Sequence, residues 1–140
     1  MLTHITTIRV EWGDCDPAGI VFYPRYFEMF ERCIHALFEE ATGMTKYQML
    51  QTYDFVGFPV VQARAQFLSP AKFGDDVLAE TTVSEFRRSS FDVHHKVKNG
   101  DRPSVEGFET RVWVARDPTD PARLKAKPIP PEVIERFNRG

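Results

Sequence analysis

A chain of 140 residues and 16.2 kDa fits one domain, and surface scaling gives ~7,500 Å² folded against ~23,500 Å² unfolded, enough for one core without disulfide or metal staples. Lys and Arg number 18 against 20 Asp and Glu, a net charge of −2, which argues against a duplex nucleic-acid binder. There is no room for a nucleotide-binding domain beside a substrate domain, so any chemistry must come from one small unit or be completed by a neighbouring subunit.

Residues 3–12 alternate, with Ile8, Val10 and Trp12 on one face and Thr7, Arg9 and Glu11 on the other. That period predicts a half-buried strand, and the alternation does not read as a signal peptide. Residues 13–19, GDCDPAG, are turn chemistry. Over 23–42, Tyr23, Tyr26, Phe27, Phe30, Ile34, Leu37, Phe38 and Ala41 recur at three- and four-residue steps, which predicts the main helix. Pro24 suits its first turn, Tyr23 its N-cap and Gly43 the residue after its end. A short second helix is expected over 45–53.

Everything after Phe58 reads as extended. Val61, Ala63, Ala65 and Phe67 alternate with polar residues, and further strands are expected over 77–87, 91–98 and about 104–116, with a hairpin turn at Asn99-Gly100. Five of the 10 prolines fall between Pro118 and Pro131, predicting an irregular connection before a short helix over 132–138. The order predicts an α+β domain, 1–140, with an antiparallel sheet of about five strands folded around one long central helix. Apolar runs such as 19–23 are too short to span a bilayer, so no membrane partner is expected.

The stretch from Trp12 to Tyr26 concentrates the chemistry. A helix start offers unpaired N–H groups and the positive end of the helix dipole. Pro24 has no N–H, so the Tyr23 amide is the natural donor at the mouth. Beside a carbonyl, it would stabilise charge developing on oxygen. Asp16 lies seven residues earlier, across a turn that can bring its carboxylate to the same spot. A carboxylate facing a polarised carbonyl is a minimum kit for acyl transfer. The bland alternative is that Asp16 caps the Pro-Ala-Gly turn, and Asp14 reads as a turn or partner residue. Cys15 lacks a nearby base in sequence and reads as a packed thiol. It and Cys33 are expected to be reduced in a cytoplasmic protein. His94 and His95 are adjacent in a strand and point to opposite faces. No Cys/His cluster has zinc spacing, so no metal is expected.

The stretch G-D-C-D-P-A-G-I-V-F-Y-P-R-Y closely resembles the signature of the 4-hydroxybenzoyl-CoA thioesterase family of hotdog-fold proteins. FVGFPVVQARAQFLSPAKFGDDV resembles that family's second-strand region, and EFRRSSF its third-to-fourth strand turn. The resemblance implies a hotdog fold and hydrolysis of an acyl-CoA, aromatic acyl groups such as hydroxybenzoyl included, with CoA as part of the substrate and no cofactor. It implies that Asp16 attacks the thioester or activates water, and that the Tyr23 N–H binds the thioester oxygen. Phe22 stands at the mouth, and Glu31 matches a position where an acid can face a hydroxylated aromatic acyl group. CoA would lie at a subunit interface, its phosphates held by Arg87 and Arg88 with Ser90 as companion. Ser89 departs from the basic residue common in close relatives, which shifts attention to Arg123, Lys125 and Lys127 as well. A homo-oligomer, a dimer at least and a homotetramer by family habit, is implied. Two other readings stand beside hydrolysis: a non-catalytic acyl-CoA-binding protein, and an acyl-thioester dehydratase, which would want a His that the loop lacks.

Overall fold

The computed structural model describes residues 1–139. Strand β1 (Thr3–Arg9) leads through a 3-10 turn (Trp12–Asp14) to helix α1 (Pro24–Thr42) and a short helix α2 (Lys46–Thr52). Strands β2 (Val60–Phe67), β3 (Asp76–Phe86), β4 (Ser90–Asn99) and β5 (Arg102–Val112) follow. Together with β1 they form one five-stranded antiparallel sheet in the order β1-β3-β4-β5-β2. The expected α+β architecture, a sheet around one long helix, is the one observed.

Helix α1 buries Tyr26, Met29, Phe30, Cys33, Ile34, Leu37, Phe38 and Ala41, the three- and four-residue stripe that a helix lying on a sheet requires. Tyr23 is its N-cap, with Pro24 in the first turn. Its backbone is already helical (φ −52°, ψ −34°) rather than extended, because its carbonyl accepts the Tyr26 N–H at 3.1 Å. Gly43 ends the helix at φ 70°, its N–H donating to the Glu39 carbonyl at 2.9 Å; only a residue without Cβ holds that conformation cheaply. α2 starts at a capping box in which the Thr45 hydroxyl accepts from the Gln48 amide and the Gln48 side chain accepts from the Thr45 amide.

The helix divides the core into two ends. Around its N-terminal half, Val10, Val21, Tyr26, Phe30, Val77 and Val105 pack together. Around its C-terminal half, Phe38 meets Phe58, Phe91 and Phe137. The sheet has the same polarity. Phe67, Val105 and Asp76 lie at the Tyr23 end, whereas Val60, Phe86, Ser90 and Val112 lie at the other.

Two features depart from expectation. The last long strand is not continuous. β5 stops at Val112, and Trp113 drops into the core, stacked on Phe55 at 4.2 Å. The chain resumes as β6 (Val114–Asp117), which pairs with β7 (Asp120–Ala126) in a separate hairpin. The proline-rich stretch read as an irregular connection therefore contains a strand. It leaves no apolar alternation because every residue of β7 is exposed, and a two-stranded ribbon tolerates a proline where no ladder N–H is needed. Helix α3 (Pro131–Asn138) then docks Val133 and Phe137 into the core.

Strand β2 is an uncovered edge. Its residues 63, 65 and 67 share the inner face with Glu109, Gly107 and Val105 of β5. Yet Ala63 is exposed and Ala65 only half-buried, and Phe67 stays exposed although its ring meets those of Tyr23 and Tyr26 at about 6 Å. A register shift between Val60 and Gln62 makes Val60, not Val61, the partner of Arg111, a bulge that simple alternation cannot foresee. No helix is long and apolar enough to cross a membrane among the described residues.

Candidate active site

The loop before α1 folds back on itself. The Asp16 amide donates to the Ile20 carbonyl at 2.9 Å, Gly19 donates to the Asp16 carbonyl at 2.9 Å, and Phe22 donates to the Asp14 carbonyl at 2.8 Å. Cys15 and Val21 form an antiparallel bridge. These bonds set the Asp16 segment against the residues that lead into the helix, and Val21 ties the loop to the β2–β3 connection through the Ala71 carbonyl at 2.9 Å.

Within this loop the two acids have different surroundings. Asp14 Oδ2 accepts from the Glu11 amide at 2.9 Å, so Asp14 is a turn residue. Asp16 is half-buried, and its Oδ1 accepts from the Ala18 amide at 2.8 Å. That bond fixes the carboxyl plane and leaves Oδ2 free of protein donors among the described residues. The Tyr23 amide likewise donates to no protein acceptor among the described residues. It is an open donor at the positive end of a 19-residue helix. Cys15 is half-buried, its Sγ 3.6 Å from the Glu11 carbonyl, a packed thiol with no base beside it.

An apolar cleft of about 320 Å³ adjoins the helix mouth, lined by Ile20, Val21, Tyr23, Tyr26, Phe67 and Leu68 among others. Phe22 is 49% exposed, its ring edge-on to that of Tyr23 at 5.5 Å. Asp16, Phe22 and Tyr23 therefore share one stretch of chain, of which Ile20, Val21 and Tyr23 line the cleft.

The remaining candidates lie elsewhere in the chain. Arg87, Arg88 and Ser90 sit in the β3–β4 turn at the opposite end of the sheet, where Trp113 donates to the Ser89 carbonyl at 2.7 Å. Arg87 is occupied: its guanidinium donates to both Asp92 oxygens at 2.7 and 3.0 Å, to Glu85 at 3.2 Å and to Ser90 Oγ at 2.9 Å. Hydrogen bonding to Asp92 holds Arg87 above its usual range and Asp92 below its own. The Arg88 guanidinium reaches Ser89 Oγ at 3.5 Å and has no carboxylate partner among the described residues. Arg123, Lys125 and Lys127 are on or just after β7, exposed or half-exposed.

Glu31 lies eight residues into α1 from Tyr23, about 12 Å along its axis. Its Oε2 accepts from Arg111 at 2.7 Å and its Oε1 lies 3.4 Å from His35. Arg111 is 1% exposed and also donates to Glu109 at 3.0 Å, while Glu109 accepts from His95 at 2.8 Å. His95 completes the chain at Thr81, 2.9 Å away, with the Phe30 ring stacked on it at 4.2 Å. Burial drives the His95 imidazole below its ordinary value. Burial pushes Glu31 and Glu109 up, but their bonds to Arg111, and to His95 for Glu109, outweigh it and leave both lowered. Sequence reasoning singled out Glu31, read His95 only as an ordinary histidine facing away from His94, and missed Glu109 and Arg111. The available signal was two charged residues at inward positions of the last strand, alternating with Thr110.

A second cleft, about 260 Å³, opens beside Glu31 and is walled by His35, Lys46, Val56, Phe58 and Pro59 among others. The Lys46 ammonium stands over the Phe58 ring at 4.3 Å and the Phe55 ring at 5.4 Å.

Comparison with known proteins agrees with this geometry. The thioesterase-like superfamily matches residues 10–137. A 4-hydroxybenzoyl-CoA thioesterase of Pseudomonas sp. (strain CBS-3) is 34% identical over 132 residues, 91% of this chain and 92% of the relative. A 1,4-dihydroxy-2-naphthoyl-CoA hydrolase of Synechococcus sp. (strain WH7803) is 28% identical, covering 94% of this chain and 85% of its own. Among solved structures, an aspartate-to-asparagine mutant of 4-hydroxybenzoyl-CoA thioesterase, in complex with 4-hydroxybenzoyl-CoA, superimposes with a TM-score of 0.87 at 31% identity, over 96% of this chain and 98% of that one. A gentisyl-coenzyme A thioesterase gives 0.81 at 33% identity, over 94% and 99%. Sheet, central helix and loop before the helix thus recur over nearly the whole length, and this chain belongs to the thioesterase-like superfamily, with the hotdog fold.

Proposed function

We propose that this chain hydrolyses an acyl-CoA thioester to a free acid and CoA, with Asp16 supplying the carboxylate and the Tyr23 amide the oxyanion donor. One observation carries the reading: an unspent carboxylate oxygen and an unspent helix-mouth amide stand on one folded-back loop beside an apolar cleft. The thioester oxygen accepts from the Tyr23 N–H, and charge developing on it sits at the positive end of α1. Asp16 then acts in one of two ways. As nucleophile it bonds to the carbonyl carbon and expels CoA thiolate, and water hydrolyses the mixed anhydride to restore the carboxylate. As general base it takes a proton from the attacking water, and the thiolate leaves from the tetrahedral adduct. Aromatic acyl groups are the first substrates to try, because relatives at 28–34% identity are named for hydroxylated aromatic acyl-CoA esters. Phe22 and Glu31 would then line the acyl site.

Two chains make this site. In one chain Asp16 and Tyr23 lie at one end of the sheet, with Glu31, Arg88 and Ser90 towards or at the other. The β2 edge, apolar on its inner face and uncovered, invites a second copy. Antiparallel β2–β2 pairing about a two-fold axis brings the Phe67 end of one protomer beside the Val60 end of its partner. CoA would then lie at the interface, with Arg88 as its free phosphate-binding cation and Arg87 and Ser90 ordering the turn. A tetramer would pair two such dimers.

The test is release of free thiol from a panel of acyl-CoA esters, hydroxybenzoyl and straight-chain included. Asp16→Asn should lower turnover by about 10²–10⁴-fold with an unchanged circular dichroism spectrum; wild-type turnover in that variant would overturn the assignment. Rapid quench and mass spectrometry would catch an acyl adduct on Asp16 if it is the nucleophile. Tight ester binding with no turnover across the panel would identify a non-catalytic binding protein instead.

A further inference from the structure

The second cleft holds a cation that the fold itself does not use. Lys46 is half-buried at the first turn of α2, yet it has no carboxylate within ion-pair distance among the described residues. Its ammonium rests on the faces of Phe58 and Phe55, an arrangement that holds a cation in place without spending its hydrogen bonds. Burial lowers its basicity, Arg111 lowers it further, and Glu31 opposes both. The other charged or titratable groups around this cleft are already paired. Glu31 lies against Arg111 and His35, and Arg111 is shared with Glu109. Burial lowers His35, which favours its neutral form. A donor is therefore left over at the end of an apolar-walled cleft of about 260 Å³.

Position decides what that donor is for. Phe58 and Pro59 lead directly into β2, so the cleft opens at the Val60 end of the proposed dimer edge. The helix-mouth cleft includes Phe67 and Leu68, at the other end of the same strand. Antiparallel pairing of two β2 edges therefore sets the Lys46 cleft of one protomer against the Tyr23 cleft of its partner. An acyl group whose carbonyl is held at Tyr23 would extend into the partner's cleft. We propose that Lys46, acting in trans, selects acyl groups that carry a hydroxyl at the end remote from the thioester. The hydroxyl accepts from Lys46 and donates to the solvent-facing side of Glu31. A remote carboxylate fits less well, because it would lie beside Glu31 in a cluster whose two acids are matched by only two permanent cations, Arg111 and Lys46 itself. This inference rests on the hydrolase reading above, and its failure is separable from failure of that reading.

The experiment measures kcat/KM for 4-hydroxybenzoyl-CoA, benzoyl-CoA and 4-carboxybenzoyl-CoA, and calorimetric Kd values for the same three esters in an Asp16→Asn background that leaves the thioester intact. The wild type should prefer the hydroxylated ester over benzoyl-CoA. Lys46→Met should cut that ratio at least tenfold, and Lys46→Arg, which keeps a charged donor, should hold it within about threefold. Should Lys46→Met fail to fold, Lys46→Gln serves in its place. Mixed dimers of Asp16→Asn with Lys46→Met test the trans geometry. If the two residues come from different protomers, half the sites regain Asp16 with Lys46, and the wild-type ratio returns. An unchanged ratio in folded Lys46→Met, a ratio that mixing does not restore, or a Lys46-dependent preference for the carboxylated ester would each overturn the proposal. Absence of any hydrolysis would count against the hydrolase reading, while the Kd ratios would still decide the role of Lys46.

Discussion

His95 is fully buried between Thr81 and Glu109, under the ring of Phe30. Because burial lowers its basicity from the ordinary 6.5, the unfolded chain takes up a proton near that pH that the folded chain refuses. Stability should therefore fall as pH drops below about 6.5, with His35, also lowered by burial, adding to the slope. Glu109 and Glu31 are held below their ordinary 4.5, so their contribution is intact above that value and is lost as pH falls through it. Calorimetry across pH 8 to 4 should show a plateau, a decline below neutrality and a steeper one below about 4.5. His95→Gln should lower Tm at pH 7 yet flatten the decline between pH 7 and 5; a slope equal to wild type would show that His95 does not titrate this way. The adjacency of His94 and His95 told that they face opposite ways. It could not tell that the inward one meets Glu109, 14 residues on, because that contact exists only once β4 and β5 pair.

Between elements, α1 and β5 meet tightly at one point. Gly107 lies directly beneath the Phe30 ring, and a Cβ there would stand well inside contact distance of it. Phe30 is fully buried against His95 and has no room to withdraw. Gly107→Ala should therefore cost about 1–3 kcal/mol by overpacking, read as a lower midpoint in urea with little change in m-value; wild-type stability would mean that the helix can shift. Helix α1 was legible in the sequence because one face carries the apolar stripe and both ends carry their punctuation, Pro24 and Gly43. Strand β7 was not, because its residues contact solvent on both faces and their only partner is β6. The break at Trp113 was hidden for a related reason. The strand pattern runs on through it, and only the packing against Phe55 pulls the chain out of the sheet.

For the whole molecule, the edge strand β2 sets the expected assembly. Ala63 is exposed on an inner face that a monomer leaves uncovered, so Ala63→Arg should not disturb the fold of one chain but should block its partner. Light scattering should give the mass of a smaller species for that variant, and thiol release should fall with it. Wild-type Tm should rise with protein concentration and that of the variant should not. An unchanged mass in Ala63→Arg would move the interface away from β2. The split of the candidate residues between the two ends of the sheet was not readable from spacing, since distance along the sequence does not say which end of a sheet a residue reaches.

The sequence by itself determined the fold class, the helix and its ends, the five sheet strands, and the folded-back loop that carries Asp16 towards the helix start. Each of these rests on local periodicity, on turn and cap chemistry, or on a contiguous motif. The tertiary structure decided which charges are spent. It pairs Arg87 with Asp92, joins Glu31 to Arg111, buries Glu109 behind His95, and leaves the Tyr23 amide without a protein acceptor and Arg88 and Lys46 without a carboxylate partner among the described residues. A side chain's availability depends on which neighbours the folded sheet and helix bring to it, and those neighbours lie far away in the chain.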